Sequence, residues 1–122
     1  MNHQAQTLKT RTKRFALDVL AFVDTLPYRR SSAYIADQMG RAACSVASNY
    51  RAACRARSKA EFAAKIGVVL EEADESLFWF EIADARTLGD VRQRRRLTDE
   101  AEQLTAIFAK SSITVRLNLR TV

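Results

Sequence analysis

Leu8, Thr12, Phe15, Val19, Phe22 and Leu26 follow one another at steps of four, three, four, three and four residues. At 3.6 residues per turn these steps stay on one face of an α-helix, which Ala16 and Val23 widen. Pro27 pushes the residue before it out of the helical region, so this helix is predicted over about 7–26. A second stripe of Ile35, Met39, Ala42, Val46, Tyr50 and Ala53 predicts a helix over about 32–57, with Ser31 or Ser32 able to cap it. Ser58-Lys59-Ala60-Glu61 has the spacing of a capping box and starts a third helix, about 59–88, on Phe62, Ile66, Val69, Leu70, Ala73, Leu77 and Phe80. Gly89 suits its C-terminal cap. Thr98, followed by Asp99, Glu100 and Glu102, predicts the start of a fourth helix, about 98–119, on Leu97, Ala101, Leu104, Phe108, Ser111 and Val115. Val91 to Arg96 reads as a charged loop, and Asn118 to Val122 as a fraying tail. No strand pattern competes.

Four amphipathic helices on short links imply one all-α domain, residues 1–122, in an antiparallel up-down-up-down four-helix bundle. Gly40, Ala42, Ala43, Ala47, Ala52 and Ala53 keep the second helix thin, so its neighbours can approach closely. The third helix carries apolar residues that its core stripe does not use: Val68, Phe78, Trp79 and Ile82. The fourth carries Ile113 and Leu117, with Ala106 and Ala109, on its far side. A broader intramolecular core would absorb them, but clustered Trp and Phe favour a self-association surface, and so a homo-oligomer.

Apolar residues at 48 % with three Gly and one Pro fit a helical globule. The net charge of +6 fits either a soluble basic surface or an anionic partner, nucleic acid above all. Lys9, Arg11, Lys13 and Arg14 fall in the first turns of the first predicted helix, where cations oppose its dipole. Arg51 and Arg55 are one turn apart, Arg57 and Lys59 continue into the link, and Arg29 and Arg30 stand at the other end of the same helix. With Arg41, Arg94 and Arg95 these are candidate phosphate contacts, without base readout.

Catalysis finds no machinery: the single histidine, His3, precedes the predicted helices, and no glycine-rich phosphate loop, metal spacing or cofactor motif is present. Cys44 and Cys54 cannot pair along one helix, and free thiols favour the cytoplasm. No apolar run reaches the roughly 18 residues of a membrane span.

RAACSVASNYRAACRARSKAEF, followed by IGVVLEEADESLFWFEIADARTLG, resembles the bacterial four-helix-bundle family encoded in intervening sequences of large-subunit rRNA genes. The residues that carry the likeness are Arg41, Ala42, Ala43, Ser45, Asn49, Ser58, Glu61 and Phe62. The resemblance implies a homopentameric ring. It also points to a relative, the accessory variability protein of diversity-generating retroelements, a basic pentamer that associates with a reverse transcriptase and nucleic acid. Where the family has Glu-Gly, this chain has Ala52-Ala53, which extends the second predicted helix to about Arg57. The expected function is thus that of a non-enzymatic RNA- or DNA-binding accessory protein. The alternative is a protein-interaction scaffold of the same family whose arginines meet acidic faces of neighbouring subunits.

Overall fold

The computed structural model describes residues 2–120. Four helices form the domain: α1 (His3–Val23), α2 (Arg30–Ala53), α3 (Lys59–Ala85) and α4 (Val91–Arg120). They pack in chain order around one core, α2 between α1 and α3, with α4 resting mainly on α3 and only lightly on α1. Side-chain bonds give the directions. Ser31 meets Arg86 while Arg41 meets Glu72, so α2 and α3 are antiparallel, and Arg11–Glu100 with Asp18–Arg96 shows the same for α1 and α4. One end of the bundle therefore holds the α1–α2 and α3–α4 links; we call it the closed pole. The other, the open pole, holds the α2–α3 link together with the start of α1 and the end of α4.

The predicted stripes supply most of the core, although Phe62, Leu70, Leu77, Ser111 and Val115 are only half-buried and Ser112, not Ser111, is buried on α4. Phe15, Val19, Met39, Val46, Ile66, Val69, Phe80, Leu97, Leu104 and Phe108 are fully buried. Two aromatic pairs cross the interior, Phe22 with Phe80 at 5.8 Å and Tyr50 with Phe108 at 5.4 Å between ring centroids. Ala42 and Ala43 have no exposed surface, which is what lets α2 sit between two neighbours. Buried hydroxyls are satisfied within their own helices, Thr12 on the Lys9 carbonyl and Ser76 on the Glu72 carbonyl.

The boundaries differ from expectation in ways that geometry explains. Asn2 accepts a hydrogen bond from the Ala5 N–H and starts α1 at His3 rather than near Thr7. Lys9 to Arg14 thus lie beyond the first turn, and the expected conflict with the helix dipole falls away. α1 ends at Val23 instead of Leu26, with the Leu26 N–H turning back to the Val23 carbonyl ahead of Pro27. Neither serine caps α2: Arg29 is the N-cap residue, without a side-chain bond, and Ser32 is buried. α2 stops at Ala53 rather than Arg57. Three-residue closures from Arg55 to Ala52 and Ala56 to Ala53 tighten its last turn, since the reversal before Ser58 needs non-helical residues. Ser58 does cap α3, and Glu61 reaches back to the Arg57 N–H.

α3 ends at Ala85, short of Leu88, and Thr87 takes the left-handed position with φ 55° while the Leu88 N–H bonds the Ala83 carbonyl. The run from Val91 to Arg96 is helical, because Asp90 accepts from the Gln93 N–H and caps α4 eight residues before Thr98. Thr98 bonds the Arg94 carbonyl from inside the helix. The helix also continues through Asn118, Leu119 and Arg120, where a frayed tail was expected; Thr121 and Val122 lie outside the described residues.

Two glycines make opposite predictions. Gly89 has φ 73°, and an added Cβ would stand 2.7 Å from Phe22 ring carbons and 2.9 Å from Leu26. Gly67 lies mid-helix with nothing within 4 Å of that position. Gly89→Ala is expected to lose about 2 kcal/mol of stability and Gly67→Ala to gain about 1 kcal/mol, read as opposite shifts of the urea midpoint.

Candidate nucleic-acid interface

The structure divides the candidate arginines between the poles. Arg51 lies in the last turn of α2, and Arg55, Arg57 and Lys59 follow it around the α2–α3 link, all exposed at the open pole. Arg29, Arg30 and Arg95 are exposed at the closed pole. The 24 residues of α2 separate the groups by roughly 36 Å. They do not form one surface.

Two candidates have structural employment. Arg94 is 4 % exposed, and its guanidinium donates to Asp84 Oδ1 at 2.9 Å, to the Leu88 carbonyl at 2.7 Å and to the Gly89 carbonyl at 3.1 Å. It ties the end of α3 to the start of α4 and is not available to a phosphate. It was expected on a solvated loop because the Asp90 cap went unread. Arg41 spans from α2 to α3, 3.1 Å from Glu72 and 2.5 Å from Glu75. The hydrogen bond from Arg41 holds the Glu75 carboxyl below its ordinary value, and the Glu75 bond raises Arg41.

At the open pole the cations are unpaired. Among the described residues, no carboxylate lies within ion-pair distance of Arg51, Arg55, Arg57 or Lys59. The reason is visible along the chain: no Asp or Glu stands between residues 1 and 17, 38 and 60, or 103 and 122, the segments that meet at this pole. Glu61 is the nearby exception, and it faces the Arg57 N–H. The same topology brings in Lys110, Arg116 and Arg120 from α4. Sequence reasoning missed these, although their acid-free segment was a readable signal.

The open pole also holds a cleft of about 1120 Å³ between the start of α1, the α2–α3 link and the end of α4. Leu8, Tyr50, Phe62 and Ile107 line its floor, and Arg57, Lys59 and Lys110 stand at its edge. Burial raises the Tyr50 phenol, with the Cys54 thiol beside it adding to the shift, so the ring stays neutral in the cleft floor. The cysteines are free. Among the described residues no group of His, Cys, Asp and Glu gathers as a metal site, and no helix is long and apolar enough to cross a membrane.

Of the spare apolar residues, Trp79 and Ile82 pack half-buried against the core, whereas Val68, Phe78, Ile113 and Leu117 are exposed. Phe78 is about half exposed and meets half-buried Trp79 edge-on at 5.0 Å, and Trp79 meets Tyr34 of α2 at 5.7 Å. Tyr34 joins a patch that was read from α3 alone, with Ile82 beside it only half buried. The Trp79 N–H lies near enough to Glu75 to help lower its carboxyl, yet it makes no well-formed hydrogen bond. Val68 on α3, and Ile113 with Leu117 on α4, are exposed nearer the open pole.

A four-helix bundle with an acid-poor, basic pole is the class that fold and surface define. The fold recurs in a protein of unknown function from the S23 ribosomal protein family of Bacteroides thetaiotaomicron VPI-5482. That structure superposes with a TM-score of 0.77 at 21 % identity, covering 85 % of this chain and 96 % of that one. The profile of the 23S rRNA-intervening sequence protein family matches residues 6–110, and the chain belongs to that family. No curated protein matches it significantly.

Arg94→Ala leaves two turn carbonyls without their donor and is expected to cost about 1–3 kcal/mol in urea unfolding. Glu75→Gln tests the α2–α3 bridge. Because the folded Glu75 carboxyl is lowered, its contribution is present above the ordinary value of 4.5 and is lost as pH falls below it. The pair is a third to a half exposed, so the variant should be less stable by under about 1 kcal/mol at neutral pH, and the difference should shrink as the medium is acidified through the lowered Glu75 titration.

Proposed function

We propose that this protein is a non-enzymatic, cytoplasmic accessory protein that binds the backbone of RNA or DNA at its open pole. The observation that carries this reading is the group Arg51, Arg55, Arg57 and Lys59, exposed on a pole where Glu61 is the nearby acid, with no carboxylate within ion-pair distance among the described residues. Cations held apart from acids keep their charge for phosphates, and each phosphate contact releases counterions. Arg29, Arg30 and Arg95 form a second, smaller group whose pole also holds Asp24, Asp84 and Asp90.

The exposed patches of Phe78 with Trp79 and of Ile113 with Leu117 support self-association. On the resemblance to the accessory variability protein, that assembly would be a pentameric ring and its partner a reverse transcriptase. In the scaffold alternative, the arginines would serve acidic faces of neighbouring subunits. The Arg41 bridge to Glu72 and Glu75 argues against it, since the acidic face of α3 is partly neutralised inside one protomer.

Binding of a labelled RNA at two salt concentrations tests the reading. Affinity should fall as salt rises, with a log–log slope that drops by roughly one for each contact removed. Arg55→Glu with Arg57→Glu should weaken binding about tenfold or more, and Arg29→Glu with Arg30→Glu should do much less. Binding indifferent to salt would sink the proposal. If light scattering shows the Arg55/Arg57 variant no longer assembling, the scaffold reading is favoured.

A further inference from the structure

Phosphate contacts alone would treat a duplex and a single strand alike, but the open pole offers more than charge. Its cleft has an apolar floor that includes the half-buried ring of Phe62, and among the described residues no carboxylate lines it. Cations at its edge, Arg57 and Lys59, belong to the group proposed to hold phosphates, and Lys110 faces them from α4. Ser111 and Thr114 add hydroxyls to the α4 wall, within reach of the edges of a planar polar guest. We infer that this cleft receives an unstacked base of a single strand while the adjoining phosphates lie on Arg57, Lys59 and Lys110. The inference rests on the nucleic-acid reading above and narrows it to single strands.

The chemistry matches on each count. A base is a flat apolar surface with a polar edge, joined on both sides to anions. A cleft of about 1120 Å³ with an aromatic and aliphatic floor and a cationic rim accepts all three features together. In a duplex the base is stacked and paired, and extruding it costs energy that a single strand does not spend. An anionic amphiphile with an acyl chain would satisfy floor and rim but not the hydroxyl-bearing wall.

The test uses the full chain with a short RNA carrying one 2-aminopurine, free or annealed to its complement. The single strand should bind about tenfold more tightly than the duplex, with a rise in 2-aminopurine fluorescence as the base leaves its neighbours. Ser111→Trp fills the cleft and should bring single-strand affinity down to that of the duplex, leaving duplex binding and the salt slope unchanged. If that variant misfolds, Thr114→Trp, at an exposed position on the same wall, serves instead. Equal binding of the two forms, unaffected by either variant, overturns base insertion and leaves backbone binding standing. Failure to bind either form overturns both readings. Binding of dodecanoate that Ser111→Trp abolishes, without any single-strand preference, assigns the cleft to amphiphiles and overturns the inference.

Discussion

A buried guanidinium determines how the two halves of this bundle meet. Arg94 satisfies Asp84 and two carbonyls of the α3–α4 turn at once. A charge so nearly removed from water is tolerable only when its donors are matched this closely. The bond to Leu88 and Gly89 fixes a turn that already contains two residues with positive φ, one of them the β-branched Thr87. Capped by Asp90 and held to the turn by Arg94, a 30-residue helix starts at the closed pole and reaches the open pole with Lys110, Arg116 and Arg120. An interaction at one end of the molecule thereby equips the other.

The stripes of Phe15, Val19 and Phe22 or of Leu97, Leu104 and Phe108 were legible because burial of one helix face leaves a period in the chain. Ser58 and Glu61 were legible because a capping box is local. Asp90 was not, since the basic run behind it resembled a solvated loop until the core spacing of Arg94, Leu97 and Ala101 was followed backward. The end of α2 was misplaced for a related reason: without a glycine stop, the chain reversal was made by the short closures at Arg55 and Ala56. For the candidate site, residue types were readable but their grouping was not. Arg29 and Arg55 flank one helix and look like one array until the length of that helix sets them at opposite poles.

Electrostatics divides the molecule between its middle and its open pole. Along the middle, Arg41, Arg11 and Arg96 pair with acids on neighbouring helices, so charge there serves cohesion. Toward the open pole the acids run out. The cleft sits at the pole where the exposed cations lack ion-pair partners among the described residues. Family membership is consistent with this division, since the matched segment includes both Arg41 and the Ser58–Phe62 start of α3.

Because the bundle has four helices, His3 and Arg120 emerge at the same pole, and that pole holds the unpaired cations. A purification tag on either end would hang beside the surface whose ligands are in question. A polyhistidine tag would add titratable cations there, and an acidic tag would compete for the arginines. The α1–α2 link at Pro27 and Tyr28 is exposed and roughly a helix length away. It is the better place to attach a label or to open a circularly permuted chain.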